Sequence, residues 1–442
     1  MRSVHILVAL LFVVGLAGKL ITGAAMYSRL LYLSIFIVLA ALFLTRVGIM
    51  GLSVERRTRS KKASVGDVFD ERFDVTNHSR FSALWVEVAN QSNLPNAAGS
   101  RLLTRIGARQ TLSYRSRSWL TRRGRFQLGP TTLTTGDIFG IFRATRRYPA
   151  AASIVVLPAF FEIEAFPYVP GLPQGGRVIS RKAIDITPHA SNVREYVPGD
   201  PLKRIHWPTT ARRGQLMVKE FDLDPQTEIW LFLDIQSRVH AEKKNKEAQR
   251  EFHPDEWLFG RRPEFHLPPS TLEYAVSISA SLARFYIQQK RAVGLVAAGR
   301  AYTVIPAERS ERQESKILET LAYLEADGDM PLAGVISMQA QQLPKGSGVV
   351  LISPSTRQDI LTAVDDLQLR RLRPVVILLM AESFGGYKQG GQAIIDTLNN
   401  RGVPACPIYC DADLPQALAA FAQTAPTQEV QTSWRPQFTP ST

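Results

Sequence analysis

Between residues 194 and 221 the chain interleaves cations with aromatics and carboxylates at a density that could bind or react. Arg194, Lys203, Arg204, Arg212, Arg213 and Lys219 lie among Tyr196, His206 and Trp207, with Asp200 and Glu220 as counter-charges. Pro198-Gly199-Asp200 is a turn signal, and a chain that reverses there brings these groups together. Three uses follow. As a buckle between domains, Arg194 and Arg204 pair with Asp200 or Glu220, Trp207 fills an apolar pocket, and Gly199 and Gly214 permit turns. As a docking face, Trp, Tyr and Arg are the residue types that dominate binding hot spots. As a nucleic-acid site, the arginines hold phosphate and the aromatics stack on bases. The mixed charge pattern argues against the third, and no nucleic-acid partner is expected.

Covalent chemistry finds less support. Asp200 and His206 are the best acid–base pair, and they define the alternative reading of the chain as a hydrolase. A nucleophile needs a base and an orienting acid in contact, and no Gly-x-Ser-x-Gly or comparable motif supplies one. A phosphate cradle of the form Gly-x-x-x-x-Gly-Lys-Ser/Thr is absent. Gly385-Gly386 and Gly390-Gly391 flank Tyr387-Lys388-Gln389 without a hydroxyl residue to hold Mg²⁺. No catalytic residue, cofactor or small-molecule substrate is therefore assigned. A receptor for an anionic ligand on the basic stretch is a further alternative.

The 194–221 segment resembles the signature of the family catalogued as domain of unknown function 58. That pattern runs Arg-x-Tyr, Pro-Gly-Asp, Arg-x-x-Trp, Ala-Arg, then a Gly leading to Glu-Phe. Arg194, Tyr196, Pro198, Gly199, Asp200, Arg204, Trp207, Ala211, Arg212, Gly214, Glu220 and Phe221 fill it. Arg122-Arg123-Gly124-Arg125-Phe126 and Gly136-Asp137-Ile138-Phe139-Gly140-Ile141-Phe142 look like further motifs of the same family. We read them structurally, with glycines in turns and Phe139 and Phe142 in the core. The resemblance implies a β region before the signature and a von Willebrand factor A-like domain after it. It also implies a partner, a MoxR-type AAA+ ATPase. In von Willebrand A domains an Asp-x-Ser-x-Ser loop after the first strand offers hard oxygens to a divalent cation. Here that loop reads Asp234-Ile235-Gln236-Ser237-Arg238. Gln236 and Arg238 replace both hydroxyl positions, and a guanidinium repels a cation. The site reads as degenerate, with Asp234 hydrogen-bonded at a strand end and no metal expected.

The elements that must position these groups follow from pattern. Val4 to Gly18 and Leu30 to Leu44 are nearly all apolar and predict two transmembrane helices within residues 1–50, a lipid-embedded hairpin. Arg46, Arg56, Arg57, Arg59, Lys61 and Lys62 follow the second run, whereas the connection carries Lys19 and Arg29. The positive-inside rule then places the soluble domains in the cytoplasm, at a cell inner membrane crossed more than once. Residues 51–165 carry short strand-like runs (Val68 to Val75, Leu84 to Val88, Arg125 to Leu128, Ile154 to Leu157) between turn residues, which predicts a β-sandwich-like domain. Residues 166–227 hold a Pro/Gly/Arg-rich connector and the signature. From 228 to 423, Val/Ile/Leu-rich runs at Ile229 to Asp234, Val293 to Ala298, Val349 to Ser353, Val375 to Met380 and Val403 to Tyr409 alternate with helical patterns. These predict a doubly wound α/β domain on a parallel sheet. The helical patterns include Leu272 to Tyr286, the face of Ile317, Leu318, Leu321 and Leu324, and the face of Leu414, Ala417, Leu418 and Phe421. Residues 238–268 read as a charged insertion and residues 424–442 as a disordered tail.

The chain has 442 residues and a formal charge of +14, which suits several domains and an anionic neighbour. Its two cysteines, Cys406 and Cys410, sit four apart in one strand candidate, about 13 Å, too far to bridge. The composite expectation is a membrane-anchored cytoplasmic scaffold or adaptor without enzymatic activity.

Overall fold

In the computed structural model of the chain, residues 2–150, 152–167, 192–196, 205–220, 228–243, 265–386 and 390–424 are described. Of the signature, Pro198, Gly199, Asp200, Lys203, Arg204 and Phe221 lie outside them, as do most of the connector, 244–264 of the expected insertion, Tyr387-Lys388-Gln389 and the tail beyond 424. The chain divides into two compact units: Met1–Ala159 with Asn245–Pro268 and Leu318–Leu324, and Phe160–Lys244 with Pro269–Ile317 and Glu325–Thr442.

The first unit begins with helices α1 (Arg2–Thr22) and α2 (Ala25–Met50). Both are long and apolar enough to cross a membrane. They run on past the apolar runs at both ends, because flanking polar residues continue the helix without a breaker until Gly23 and Gly51. Two glycines let them touch. A Cβ on Gly15 would lie 2.9 Å from the backbone N of Leu31, and one on Gly18 would enter the ring of Tyr27.

Ten strands follow: β1 (Leu52–Thr58), β2 (Lys62–Ser64), β3 (Val68–Asn77), β4 (Ala83–Asn90), β5 (Arg101–Ile106), β6 (Thr111–Trp119), β7 (Gly124–Leu128), β8 (Thr131–Gly136), β9 (Arg143–Tyr148) and β10 (Ala152–Leu157). They form sheets of order β1-β3-β6, β5-β4-β8-β9 and β2-β10-β7. Alternate residues of the first two sheets meet in one core, with Leu52, Phe73, Val75 and Tyr114 on one side and Val86, Val88, Leu103 and Leu133 on the other. Phe69, Leu120, Phe126, Ile154 and Val156 build a second, smaller core. Phe139 was expected in a core and is not there: it is 48% exposed, and Ile141 is the buried member of its motif. Phe142 is half-buried.

The second unit opens with β11 (Asn192–Glu195), α3 (Trp207–Arg213) and β12 (Met217–Glu220). Then come β13 (Ile229–Leu233), α4 (Thr271–Gln288), β14 (Val293–Ala298), β15 (Tyr302–Glu308), α5 (Glu311–Tyr323), α6 (Leu332–Gln339), β16 (Gly348–Ser353), α7 (Asp359–Leu369), β17 (Arg373–Leu379), α8 (Gly391–Asn400), β18 (Ala405–Ile408) and α9 (Leu414–Thr424). The sheet order is β15-β14-β13-β16-β17-β18. All neighbours pair in parallel except β14 with β15, so the sheet is mixed and not wholly parallel. The antiparallel strand lies at the edge, where one polar face meets water and no continuous apolar run is required. Trp230, Phe232, Val296, Val349 and Leu351 face α6, α7 and α8. The alternate residues Ile229, Leu231 and Leu233 point to the other face, which α4 crosses. Cys406 is buried in β18, but Cys410 lies beyond that strand's end, so the two do not share a strand; both thiols are free.

Candidate functional site

The signature is a small scaffold with a helix displayed on it. β11 and β12 pair antiparallel, Arg194 opposite Val218 and Glu220 opposite Asn192. Tyr196 N–H donates to Leu216 O and His206 N–H to Met217 O, both at 2.8 Å, so the chain before α3 is held twice against the start of β12 after it. Ile205, Met217 and Val218 are buried beneath. α3 is short because it is bounded sharply. Pro208 occupies its first turn, where a missing N–H costs nothing. Gly214 ends it at φ 68°, a left-handed cap that an L side chain resists. Thr210 Oγ1 accepts the N–H of Met217 at 3.0 Å and ties the helix to the strand.

No residue of α3 is buried. Trp207 is 65% exposed, so the pocket expected of the buckle is not formed around it by the described residues. Ala211, Arg212 and Arg213 are exposed as well, and Leu216 continues the patch. An exposed indole can stack on a planar group or accept an apolar side chain, and the exposed guanidinium groups can pair with a carboxylate. His206 Nδ1 lies 2.6 Å from Thr209 Oγ1 in a local hydrogen bond. Its expected partner Asp200 falls outside the described residues.

The second candidate lies at the C-terminal ends of β13 and β16. The connection after β13 leads to β14 on one side, and that after β16 leads to β17 on the other. A crevice between two such strands is where open α/β sheets hold ligands. Here Asp234 and Ser353 close it. Asp234 is 2% exposed. Ser353 Oγ donates to Asp234 Oδ2 at 2.6 Å, and Gln236 N–H donates to Oδ1 at 3.1 Å. His240 Nε2 donates to the Asp234 carbonyl at 2.9 Å, and its Nδ1 meets Thr271 Oγ1 at 3.0 Å. Burial pushes the Asp234 carboxyl up to about 6, against the lowering effect of Ser353 and Gln236; the charge of Asp359 adds to the rise.

A divalent cation does not fit this donor set. It would need six or more oxygens with charge to match, and both Asp234 oxygens already accept protein hydrogen bonds. Gln236 turns its amide N–H to Asp329 O at 3.3 Å, and Arg238 is exposed. Among the described residues no cluster of three His, Cys, Asp or Glu side chains could hold a metal.

With both arrangements in view, kinship can be weighed. The family model "Protein of unknown function DUF58" matches residues 192–252, the segment holding the β11–α3–β12 scaffold. Residues 192–252 of the chain thus match the DUF58 family. Uncharacterized protein YeaD of Bacillus subtilis is similar at 22% identity over 215 residues, 48% of this chain and 45% of YeaD. The chain thus spans less than half of that relative's length. Among solved structures, the CARDB domain of PF1109 from Pyrococcus furiosus, in complex with di-metal ions, covers 24% of this chain and 91% of itself, at 13% identity and TM-score 0.18. Pseudomonas fluorescens alkylpurine DNA glycosylase AlkC, bound to DNA, covers 31% of this chain and 41% of itself, at 11% identity and TM-score 0.16. Likenesses this low carry no argument about fold or activity.

Sequence reasoning missed the role of Ser353, which strand order brings to Asp234 across 119 residues, and of His240, which the loop after β13 folds back onto the Asp234 carbonyl six residues earlier. It also missed Asp137, whose carboxylate accepts the N–H groups of Phe139, Ile141 and Phe142 at 2.8, 3.2 and 2.6 Å. A Gly-Asp pair followed by a second Gly was the available signal for such a turn.

Proposed function

We propose that this DUF58 protein is a membrane-anchored, cytoplasmic adaptor without enzymatic activity, and that it works with a MoxR-type AAA+ ATPase in assembling or maturing a membrane-associated complex. In this reading α1 and α2 form the anchor and the basic residues after α2 hold both termini inside. The β region is a sandwich-like spacer and the six-stranded unit is a doubly wound, von Willebrand A-like domain. The carrying observation is α3: a helix with no buried residue, held on the β11–β12 pair through buried Met217 and Val218, presenting Trp207, Arg212 and Arg213 to solvent. Exposed aromatics and arginines on a rigid support are the composition of a binding hot spot. At the strand-end crevice both Asp234 oxygens are engaged by Ser353 and Gln236, which commits that carboxyl to the fold.

The test is affinity capture with the full-length protein from solubilised membranes of its own organism. The adaptor reading expects a AAA+ ATPase with the wild-type chain and its loss with a Trp207→Ala/Arg212→Ala double variant that still folds. Recovery of no AAA+ protein overturns the partnership. Hydrolysis by the purified chain that vanishes on His206→Ala or Asp234→Ala overturns the non-enzymatic reading.

A further inference from the structure

The end of the β region nearest α2 carries a feature that the anchor does not explain. Strand register places three turns at that end. Leu52, which follows α2 directly, pairs with Asn77, and Thr76 with Thr111. Ala83 pairs with Ile106, Val86 with Thr135, and Gly136 with Arg143. The 78–82, 107–110 and 136–142 turns therefore all close at the end where the chain leaves the hairpin. α2 itself packs on β8 and β9.

Two of these turns present large apolar side chains. Ile138 is 67% exposed on the 136–142 turn, beside exposed Phe139, and Phe81 is 53% exposed on the 78–82 turn. Mobility does not account for their exposure, because the turn beneath Ile138 and Phe139 is stapled by the three hydrogen bonds to Asp137. Both turns are also joined to the hairpin. His5, one residue inside the first apolar span, donates from Nε2 to Ile141 O at 2.9 Å. Phe81 meets Phe43 of α2 edge to face, with ring centroids 5.9 Å apart. Exposed Arg80 and Arg143 flank the two apolar tips. A rigid turn that leaves apolar side chains outward, next to cations and to the end of an apolar helix, matches the layered chemistry of a bilayer interface.

We propose that the 136–142 turn and Phe81 form a second membrane contact, with Ile138 and Phe139 seated in the interfacial layer of the bilayer that α1 and α2 cross. Arg80 and Arg143 lie at the depth of anionic headgroups. The contact gives the β region a second hold on the membrane, beside the packing of α2 on β8 and β9. It rests on the reading of α1 and α2 as membrane-spanning.

The experiment is spin-label accessibility on the full chain in nanodiscs containing phosphatidylglycerol, with Cys406→Ala and Cys410→Ser as background. Labels go on Ile138→Cys and Phe139→Cys, on Leu39→Cys within α2, and on Asn93→Cys at the opposite end of the β region. The proposal expects oxygen to reach the 138 and 139 labels several-fold better, relative to a water-soluble nickel chelate, than it reaches the 93 label. It also expects Phe139→Glu to return the 138 label to the water-accessible ratio. If Leu39 reads as lipid and residues 138 and 139 read like 93, the second contact is refuted while the anchor stands. If Leu39 reads as water, the anchor fails and the contact with it. Labels at 138 and 139 reached by neither agent would mean a protein partner covers the turn, which also refutes the proposal.

Discussion

The α3 patch and the Asp234 site begin from similar raw material and end opposite. Each is a few polar residues beside a strand of the same unit. In the first, a strand with Met217 and Val218 buried carries a helix that has no buried residue and exposes Trp207, Arg212 and Arg213. In the second, a carboxylate at the end of a fully buried strand is turned inward and satisfied by Ser353 and Gln236. An exposed group keeps its capacity to bind, because water is readily displaced. A buried and fully paired one has spent that capacity on the fold. The proposed recognition patch on α3 and the paired carboxyl of Asp234 can therefore be separated by mutation.

The largest effect tests what supports the patch. Met217→Ala empties a buried position under α3 and should cost about 3 kcal/mol of unfolding free energy, read as a lowered urea midpoint. A cost near zero would mean that β12 does not hold the helix. The second test concerns the sign of the Asp234 contribution. Its folded-state carboxyl is raised from 3.8 to about 6, so the folded chain binds a proton between those values that the unfolded chain has released. The contribution is fully present below about pH 4 and is lost as pH rises through 6, a change of about 2–3 kcal/mol. Glu71, also raised by burial, acts in the same direction. The comparison is therefore with Asp234→Asn, whose stability should fall less between pH 4 and 7 by that amount. Parallel curves would show that the carboxyl is not desolvated.

Third, Trp207→Ala should weaken capture of the AAA+ partner by about 2 kcal/mol, roughly thirtyfold, while shifting unfolding by less than about 0.5 kcal/mol. Loss of stability in step with binding would return Trp207 to the buckle. The smallest effect is Gly214→Ala. A Cβ there meets no atom within 4 Å, so only the left-handed backbone resists, and the cost should be about 1 kcal/mol. A larger loss would show that α3 is coupled to more than its own cap.

The parts that were readable in advance share one property, a local pattern strong enough to outvote context. β13, β14, β16 and β17 are runs of Val, Ile and Leu, and α4 is apolar for most of its length. β9, with the sequence RATRRY, and β15 escaped notice. Both sit on sheet edges, where exposed residues dilute the alternation. α6, α7 and α8 also went unlisted, although their buried faces complete the core over Phe232 and Leu351. Phe139 was misplaced for the opposite reason. Its apolar type suggests a core, but the Asp137 staple turns it outward.

Composition and periodicity alone determined the apolar pair of N-terminal helices and the alternation of strand and helix after residue 228, while the 194–221 segment was legible through its resemblance to a family signature. These depend on neighbours three or four residues away, or on unbroken apolar runs. Only the tertiary structure decided that Ser353 would complete Asp234 across 119 residues, that Trp207 would face solvent, and that Ile138 and Phe81 would share one end of the β region. Those outcomes depend on strand order and register, which are set by how whole elements bury their faces together, and no short window of the chain contains that information.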